Sequence, residues 1–244
     1  MIKVVGRLGF GMVLFLAFIG ISSIVRRFGN VMAFLSDPAV FDVTRGGPPG
    51  ATGFEARYYD HPYLTLVHIG TGLLFMVLGP LQFMPSIRNR WLGFHRWCGR
   101  IFLVASLVGV VTAVAFVPML PVFGSLATQI GVVVASTYFM VALVQGYRHI
   151  RRREIAQHRE WMIRLFALGL GISSFRLIVP LLMMLPLGAT FTEAWDAAVW
   201  LGFVGNVTIA EVWINLTRPA GVRRHVPAPH GVAASTRASM ATVD

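Results

Sequence analysis

The feature that most constrains this chain is a run of 47 residues, 101–147, that contains no charged side chain. A helix of that length would be more than twice as long as the roughly 20 residues that cross a bilayer. Pro118, Pro121 and Gly124 interrupt the run near its middle, and such residues break helices and form turns. Because backbone polar groups inside lipid need internal partners, the run predicts a hairpin of two membrane-spanning helices.

Four further apolar runs are each about as long as a bilayer is thick. They cover residues 8–25, 63–84, 165–185 and 197–216. Charged residues make up 13% of the chain, about half of what a soluble domain carries, so a globule covered by water is excluded. We therefore predict an all-α, polytopic transmembrane bundle of about six spans. The first run resembles a signal peptide but has no convincing A-x-A cleavage site, so we expect it to be retained.

The same pattern divides the chain into five parts. We expect residues 1–25 to form the first transmembrane helix and residues 26–62 an extracytoplasmic loop. Residues 63–185 form a membrane core of four helices in two hairpins, and residues 186–217 contain the sixth transmembrane helix. Residues 218–244, rich in Pro, Ala, Ser and Arg, form a disordered basic cytoplasmic tail.

Positively charged residues are concentrated in two of the gaps between the spans and in the tail. The formal net charge is +11, which would suggest nucleic-acid binding in a soluble protein. Here the arginines concentrate in the gaps 85–100 and 147–164 and in the tail, while the links after spans three and five contain no Lys or Arg. The positive-inside rule then predicts that both termini are cytoplasmic in a bacterial cytoplasmic membrane, although Arg26 and Arg27 fall on the outer side. We expect the lipid bilayer and its anionic lipids as partners, and no nucleic acid.

Two ionisable residues lie inside predicted spans. His68 is about five residues from the outer end of the second span, and Arg176 is about nine residues from the outer end of the antiparallel fifth span. Buried charge in a membrane is costly and usually faces the bundle interior. The structural alternatives are an interhelical hydrogen bond for His68, and snorkelling or a carbonyl bond for Arg176. The functional alternative is a cofactor site, with a quinone held by both residues.

Two similar segments begin spans three and five at the predicted inner face. They are HRWCGRIF, starting at His95, and HREWMIRLF, starting at His158. The two histidines are candidate cofactor ligands, and as metal ligands they would serve only to bind haem iron. Free N–H groups and guanidinium groups at helix starts suit a phosphate, a lipid head group or a haem propionate. The candidate anion- or lipid-binding residues are Arg96, Arg100, Arg159 and Arg164. The positive-inside rule alone would explain the arginines, but not the matched His-Arg starts.

Other polar residues have structural explanations. Glu211, near the inner end of the sixth span, is expected to form an ion pair with one of these arginines. Gln82 is expected to form an interhelical hydrogen bond. Cys98 is the only cysteine, so no internal disulfide or Cys-based metal cluster can form. The chain has no P-loop, dinucleotide fingerprint, H-E-x-x-H or nucleophile elbow, so no complete catalytic signature is present and we do not expect an enzyme.

The order of these motifs resembles a known family. His68 followed by GPLQF, then HRWCGR, then HREWMIR, then Arg176 is similar to the bacterial membrane proteins called domain of unknown function 2306. The similarity covers about residues 64–182, which leaves the first and last spans outside. It implies a polytopic membrane fold without an established activity. It also directs attention to His68, Gln82, His95, Arg96, Arg100, His158, Arg159, Trp161, Arg164 and Arg176, of which we interpret Trp161 as structural.

Three functions remain open from the sequence. The first is a b-type haem or quinone-linked electron-transfer protein, with haem b as the candidate cofactor and a quinone or redox protein as partner. The second is a non-redox membrane protein that binds or transports an anionic lipid or small solute. The third is a structural or assembly factor in which the polar residues hold the helices together.

Overall fold

The computed structural model describes residues 2–38, 58–119, 125–186 and 188–218. Within these ranges the chain forms helices and no strands. Six helices are long and apolar enough to cross a membrane, which confirms the predicted all-α, polytopic bundle. The helices are α1 (Ile2–Ser36), α2 (Pro62–Phe83), α3 (Pro85–Arg90), α4 (Leu92–Phe116), α5 (Leu126–Arg151), α6 (Ile155–Met184) and α7 (Phe191–Thr217), of which only α3 is too short to span.

Helix α1 is longer than the sequence predicted. It continues through Arg26 and Arg27 and ends at Ser36, so the predicted loop 26–62 begins as helix. Arginine is a good helix former, and two arginines do not by themselves end a helix. Arg27 also has a partner on the neighbouring segment, because its guanidinium lies 3.9 Å from the centre of the Tyr58 ring. Residues 39–57 of the loop and 219–244 of the tail lie outside the described residues.

The predicted break in the long apolar run is confirmed. Helix α4 ends at Phe116 and is followed by a single 3₁₀ turn, and α5 begins at Leu126. Ser125 caps α5 by accepting a hydrogen bond from the Ala127 amide at 3.0 Å. The Asp196 carboxylate of α7 accepts hydrogen bonds from the Ser125 amide and from the Thr128 hydroxyl. One acidic side chain therefore binds the start of α5 to the start of α7.

Five of the spanning helices form a closed ring. Helix α1 packs against α2 and α6, α2 packs against α4, α4 against α5, and α5 against α6. Helix α7 lies outside this ring and packs against α6 and α5. Large apolar side chains such as Leu8, Phe18 and Val104 are exposed on the outer surface, as a lipid-facing surface requires.

A layer of phenylalanines, Phe75, Phe102, Phe139 and Phe166, fills the centre of the ring. The ring centres of Phe75 and Phe102 are 4.9 Å apart, and those of Phe75 and Phe166 are 5.2 Å apart. Along α2, α4 and α6, the phenylalanine lies between a polar residue near one end and a polar residue near the other. The phenylalanine layer therefore separates two polar clusters.

Candidate functional site

The first cluster lies at the end of the bundle where α3, the start of α4 and the turn between α5 and α6 bring arginines together, here called the basic end. His95 is the fourth residue of α4 and His158 is the fourth residue of α6. The two imidazoles lie at the same end of the bundle, and His158 acts electrostatically on His95. Helices α4 and α6 are not neighbours in the ring.

His158 is oriented by a backbone carbonyl. Its Nδ1 lies 2.8 Å from the carbonyl oxygen of Gly146 on α5. A carbonyl only accepts, so Nδ1–H is the donor and the neutral ring keeps a lone pair on Nε2. This is the arrangement that carbonyl partners impose on metal-bound histidines. Gly146 permits the close approach, because a Cβ at this position would lie 2.8 Å from the Met162 sulfur of α6.

Two buried polar atoms beside this pair have no hydrogen-bond partner among the described residues. They are Nδ1 of His95 and Nε2 of Gln82. The Gln82 side-chain oxygen lies 3.3 Å from where a Cβ would stand at Gly99, one helical turn after His95 and on the same face of α4. An unsatisfied buried polar group costs about 1–3 kcal/mol. These two atoms are therefore available to an ordered water or to a ligand.

Three guanidinium groups lie at the same end of the bundle as the two histidines. Arg88 of α3 and Arg96 both act electrostatically on His95, and Arg88 also acts on Arg159. Arg159 donates a hydrogen bond of 2.9 Å to the Thr217 hydroxyl on α7. Arg100 does not join this group: it lies over the exposed Trp97 ring at 5.0 Å.

Arg164 belongs to a separate ion-pair network. It is buried and binds the Glu211 carboxylate through Nε at 2.5 Å and Nη2 at 3.0 Å, as the sequence predicted for Glu211. Glu160 lies 3.7 Å from Arg164 and also accepts two hydrogen bonds from Arg218, which raise the pKa of the Arg218 guanidinium. Trp161 stacks under Arg164 at 4.8 Å. Arg164, one of the four arginines predicted to bind an anion or lipid, is thus paired with two carboxylates.

The second cluster lies beyond the phenylalanine layer, at the opposite end of the ring. His68 of α2 places Nδ1 2.8 Å from the Thr112 hydroxyl of α4, and the Phe116 ring meets the imidazole edge-on at 5.5 Å. Arg27 of α1 and Arg176 of α6 both lie close enough to act on His68 electrostatically. We call these five residues the opposite-end cluster.

The Arg176 side chain does not extend along α6 toward the opposite end of the bundle. Its Nη1 donates a hydrogen bond of 2.6 Å to the Ile172 carbonyl, one turn closer to the start of α6. Helical side chains tilt toward the helix N-terminus, which here is the direction of the phenylalanine layer. The carbonyl bond predicted as one alternative is therefore present, and the snorkelling alternative does not describe this conformation.

Sequence reasoning missed several members of these clusters. Arg88 was treated as an ordinary basic-gap residue, and Thr112 and Phe116 carried no signal within their apolar run. Arg27 carried a signal that was misread: a charge in an otherwise apolar stretch was assigned to a loop, although it is helical and faces the Tyr58 ring. Thr65 fixes Tyr58 by donating a 2.9 Å hydrogen bond to its carbonyl.

The described residues contain no group of three or more His, Cys, Asp and Glu placed to hold a metal ion. The helical ring with polar clusters at both ends defines a polytopic helical membrane protein. A family model described as "Predicted membrane protein (DUF2306)" matches residues 65–214, and the chain belongs to this family. The match includes most of α7, so the last span lies inside the family region and not outside it as expected. Neither a curated protein nor a solved structure matches the chain.

Proposed function

We propose that this protein is a b-type haem electron-transfer protein of the bacterial cytoplasmic membrane, with its basic end facing the cytoplasm. The observation that carries the proposal is the pair His95 and His158. His158 has its Nδ1–H committed to the Gly146 carbonyl, and His95 lies within electrostatic range of it. Axial haem ligation uses histidines from facing helices of a bundle. When bound, haem b supplies one-electron chemistry.

The surroundings of the two histidines suit this cofactor. The Gln82 side chain of α2 lies against Gly99, one turn along α4 from His95, and offers a donor and an acceptor to a ligand or an imidazole. The phenylalanine layer closes the proposed haem site on the side of the membrane centre. Its rings would exclude water from the site and pack against the apolar porphyrin ring of the haem.

The charge at the basic end suits the two haem propionates. Guanidinium groups bind carboxylates through paired N–H donors. The nearby carboxylates already have other partners: Glu211 and Glu160 bind Arg164, and Glu154 binds His149. Arg88, Arg96 and Arg159, which act electrostatically on His95 or on one another, are the guanidinium groups that we expect to bind an added anion.

The test is a reduced-minus-oxidised optical spectrum of the detergent-purified protein, with a pyridine haemochrome assay beside it. We expect sharp b-type bands that are lost in His95→Ala and in His158→Ala. His149→Ala is the matched control, because His149 lies at the same end but is bound by Glu154, and it should keep the bands. A featureless spectrum from folded, haem-supplied protein would contradict the proposal.

A second candidate rests on the arginines rather than the histidines. Arg96 is exposed, and Arg159 is held at the edge of the bundle by Thr217, where a lipid phosphate or a small anion could reach both. In this alternative the protein binds or transports an anionic lipid or solute without redox chemistry. A haem-free, folded protein that phosphatidylglycerol stabilises against heat more than phosphatidylcholine does would favour it, provided that Arg159→Gln removes the difference.

A further inference from the structure

The turn between α5 and α6 contains several arginines whose side chains are all exposed. They are Arg148, Arg151, Arg152 and Arg153, here called the arginine turn. Among the described residues, none of these side chains forms a hydrogen bond, an ion pair or a ring contact. The acidic residues nearest in sequence have other partners, because Glu154 binds His149 and Glu160 binds Arg218. Within the described part of the chain, the positive charges of the arginine turn therefore lack negative partners.

Arg153 has a backbone conformation that a side chain disfavours. Its φ is +61°, and no other described residue except glycine has a positive φ. Helices commonly end with a residue in this left-handed conformation, usually glycine, because a Cβ is strained there. Glycine at this position would still leave three arginines in the turn, which is enough to satisfy the positive-inside rule. Neither the turn nor the membrane orientation explains the arginine, and such strain is typical of a functional position.

The backbone of the arginine turn is fixed by hydrogen bonds. The Glu154 amide donates to the His149 carbonyl at 2.9 Å, and the Arg153 amide donates to the Ile150 carbonyl at 3.1 Å. These two bonds form the Schellman motif that closes a helix end. The Glu154 carboxylate also binds the His149 ring across the turn. A turn that is already ordered loses less conformational entropy when a partner binds it.

The arginine turn lies beyond the aromatic residues near the inner ends of its two helices. Tyr147 of α5 is exposed and lies four residues before Arg151, which is about 6 Å along the helix. Trp161 of α6 lies six residues after the first residue of that helix, which is about 9 Å. Tyrosine and tryptophan are enriched at the level of the lipid head groups. The arginine turn is therefore displaced from that level toward the aqueous phase.

We propose that the arginine turn is a docking surface for a water-soluble protein with an acidic surface, on the side of the membrane that the basic end faces. Carboxylates of the partner accept hydrogen bonds from the guanidinium groups, and the unbalanced positive charge attracts the partner from solution. The proposal goes beyond the haem function and does not rest on it, because the arginine turn includes none of the residues assigned to the haem site.

The experiment measures binding of a fluorescently labelled oligoglutamate peptide to the full-length protein in phosphatidylcholine nanodiscs, by fluorescence anisotropy. We expect saturable binding that weakens as salt is added. The double variant Arg151→Gln with Arg152→Gln should weaken binding about tenfold, since each exposed ion pair changes an affinity by up to about fivefold. Arg90→Gln with Arg100→Gln is the matched control, because it removes the same charge from exposed positions at the same end. It should bind the peptide as the wild type does.

Substitutions of Arg153 separate the role of its side chain from the role of its backbone. Glycine adopts a positive φ without strain, so Arg153→Gly should raise the thermal unfolding midpoint while it weakens peptide binding severalfold. Arg153→Lys keeps the charge and the strained backbone, and it should retain most of the binding. Melting curves show whether each variant is folded.

Three results would overturn the proposal: absence of saturable peptide binding, equal weakening in the two double variants, and unchanged binding in Arg153→Gly. A fourth measurement distinguishes a protein partner from the membrane surface. A fluorophore on Arg152→Cys, in a Cys98→Ala background, should be quenched by aqueous acrylamide and not by a nitroxide on the lipid head group. The reverse pattern would assign the arginine turn to the lipid surface and would also overturn the proposal.

Discussion

At the scale of single residues, two arginines near the start of α6 have different roles although the sequence treats them alike. Arg164 points into the contact with α7, where Glu211 and Glu160 bind it. Arg159 donates a hydrogen bond to the Thr217 hydroxyl, at the end of α7. The difference follows from depth, because five residues move the side chain about 7.5 Å along the axis, so that α7 offers Arg159 a hydroxyl and Arg164 a carboxylate. Charge alone therefore does not identify an anion site.

Glu211→Gln is expected to destabilise the protein. The change leaves the buried Arg164 guanidinium with one distant carboxylate at 3.7 Å. Removing one partner of a buried ion pair costs about 3–5 kcal/mol, and the partial exposure of Glu211 reduces this to about 1–3 kcal/mol. A lower thermal unfolding midpoint in detergent would show the loss. Glu193→Gln is the control, because a capping box accepts Gln as well as Glu; an equal drop in both variants would contradict the assignment.

At the scale of elements, glycines set the distance between ring helices. A Cβ at Gly79 of α2 would lie 2.0 Å from a ring carbon of Phe166, and a Cβ at Gly169 of α6 would lie 2.4 Å from Phe75. Gly79 of α2 thus makes room for the Phe166 ring of α6, and Gly169 of α6 makes room for the Phe75 ring of α2. Without them, α2 and α6 could not hold the layer between them, and the two polar clusters would not be separated.

Gly79→Ala is expected to destabilise the bundle by about 1–3 kcal/mol, because overpacking forces a rigid ring to move. Gly70→Ala on the same helix is the matched control, since a Cβ there meets nothing within 4 Å and alanine favours helix over glycine. Thermal unfolding in detergent measures both. Phe166→Leu in the Gly79→Ala background should recover part of the loss. Equal stability of the two alanine variants would show that Phe166 adjusts at no cost.

At the scale of the whole molecule, the closed ring explains how a small chain keeps polar groups at two depths. Each ring helix contributes to one buried apolar cluster, from Leu16 of α1 to Leu170 of α6. The apolar cluster lies between the histidines of the basic end and His68 of the opposite-end cluster. The apolar cluster is therefore a low-dielectric medium between the two polar clusters.

The predicted orientation is testable with single cysteines. In a Cys98→Ala background, Asn89→Cys marks the basic end and Asp60→Cys marks the opposite end, and both native residues are exposed. The positive-inside rule predicts that a membrane-impermeant maleimide labels Asp60→Cys in intact spheroplasts and labels Asn89→Cys only after lysis. The reverse pattern would place the basic end outside and would invert the assignment of both clusters to membrane faces.

The sequence by itself determined the class of fold. Apolar length and the Pro118–Gly124 break predicted six spans and their hairpin, because these are local properties that lipid imposes on any backbone. Family membership was also predictable from the order of short motifs such as GPLQF. The Glu211 ion pair was predictable because an acid inside a membrane span needs a nearby cation, and Arg164 stood at the same depth.

Only the tertiary structure decided which polar residues act together. The end of α1, the ring order, the bond from His158 to the Gly146 carbonyl and the approach of Arg27 to His68 all depend on contacts between helices far apart in sequence. Helical periodicity predicts on which face of its helix a residue lies, but it does not predict which neighbouring helix packs against that face. Packing of side-chain volumes, with glycines opposite phenylalanines, makes that choice.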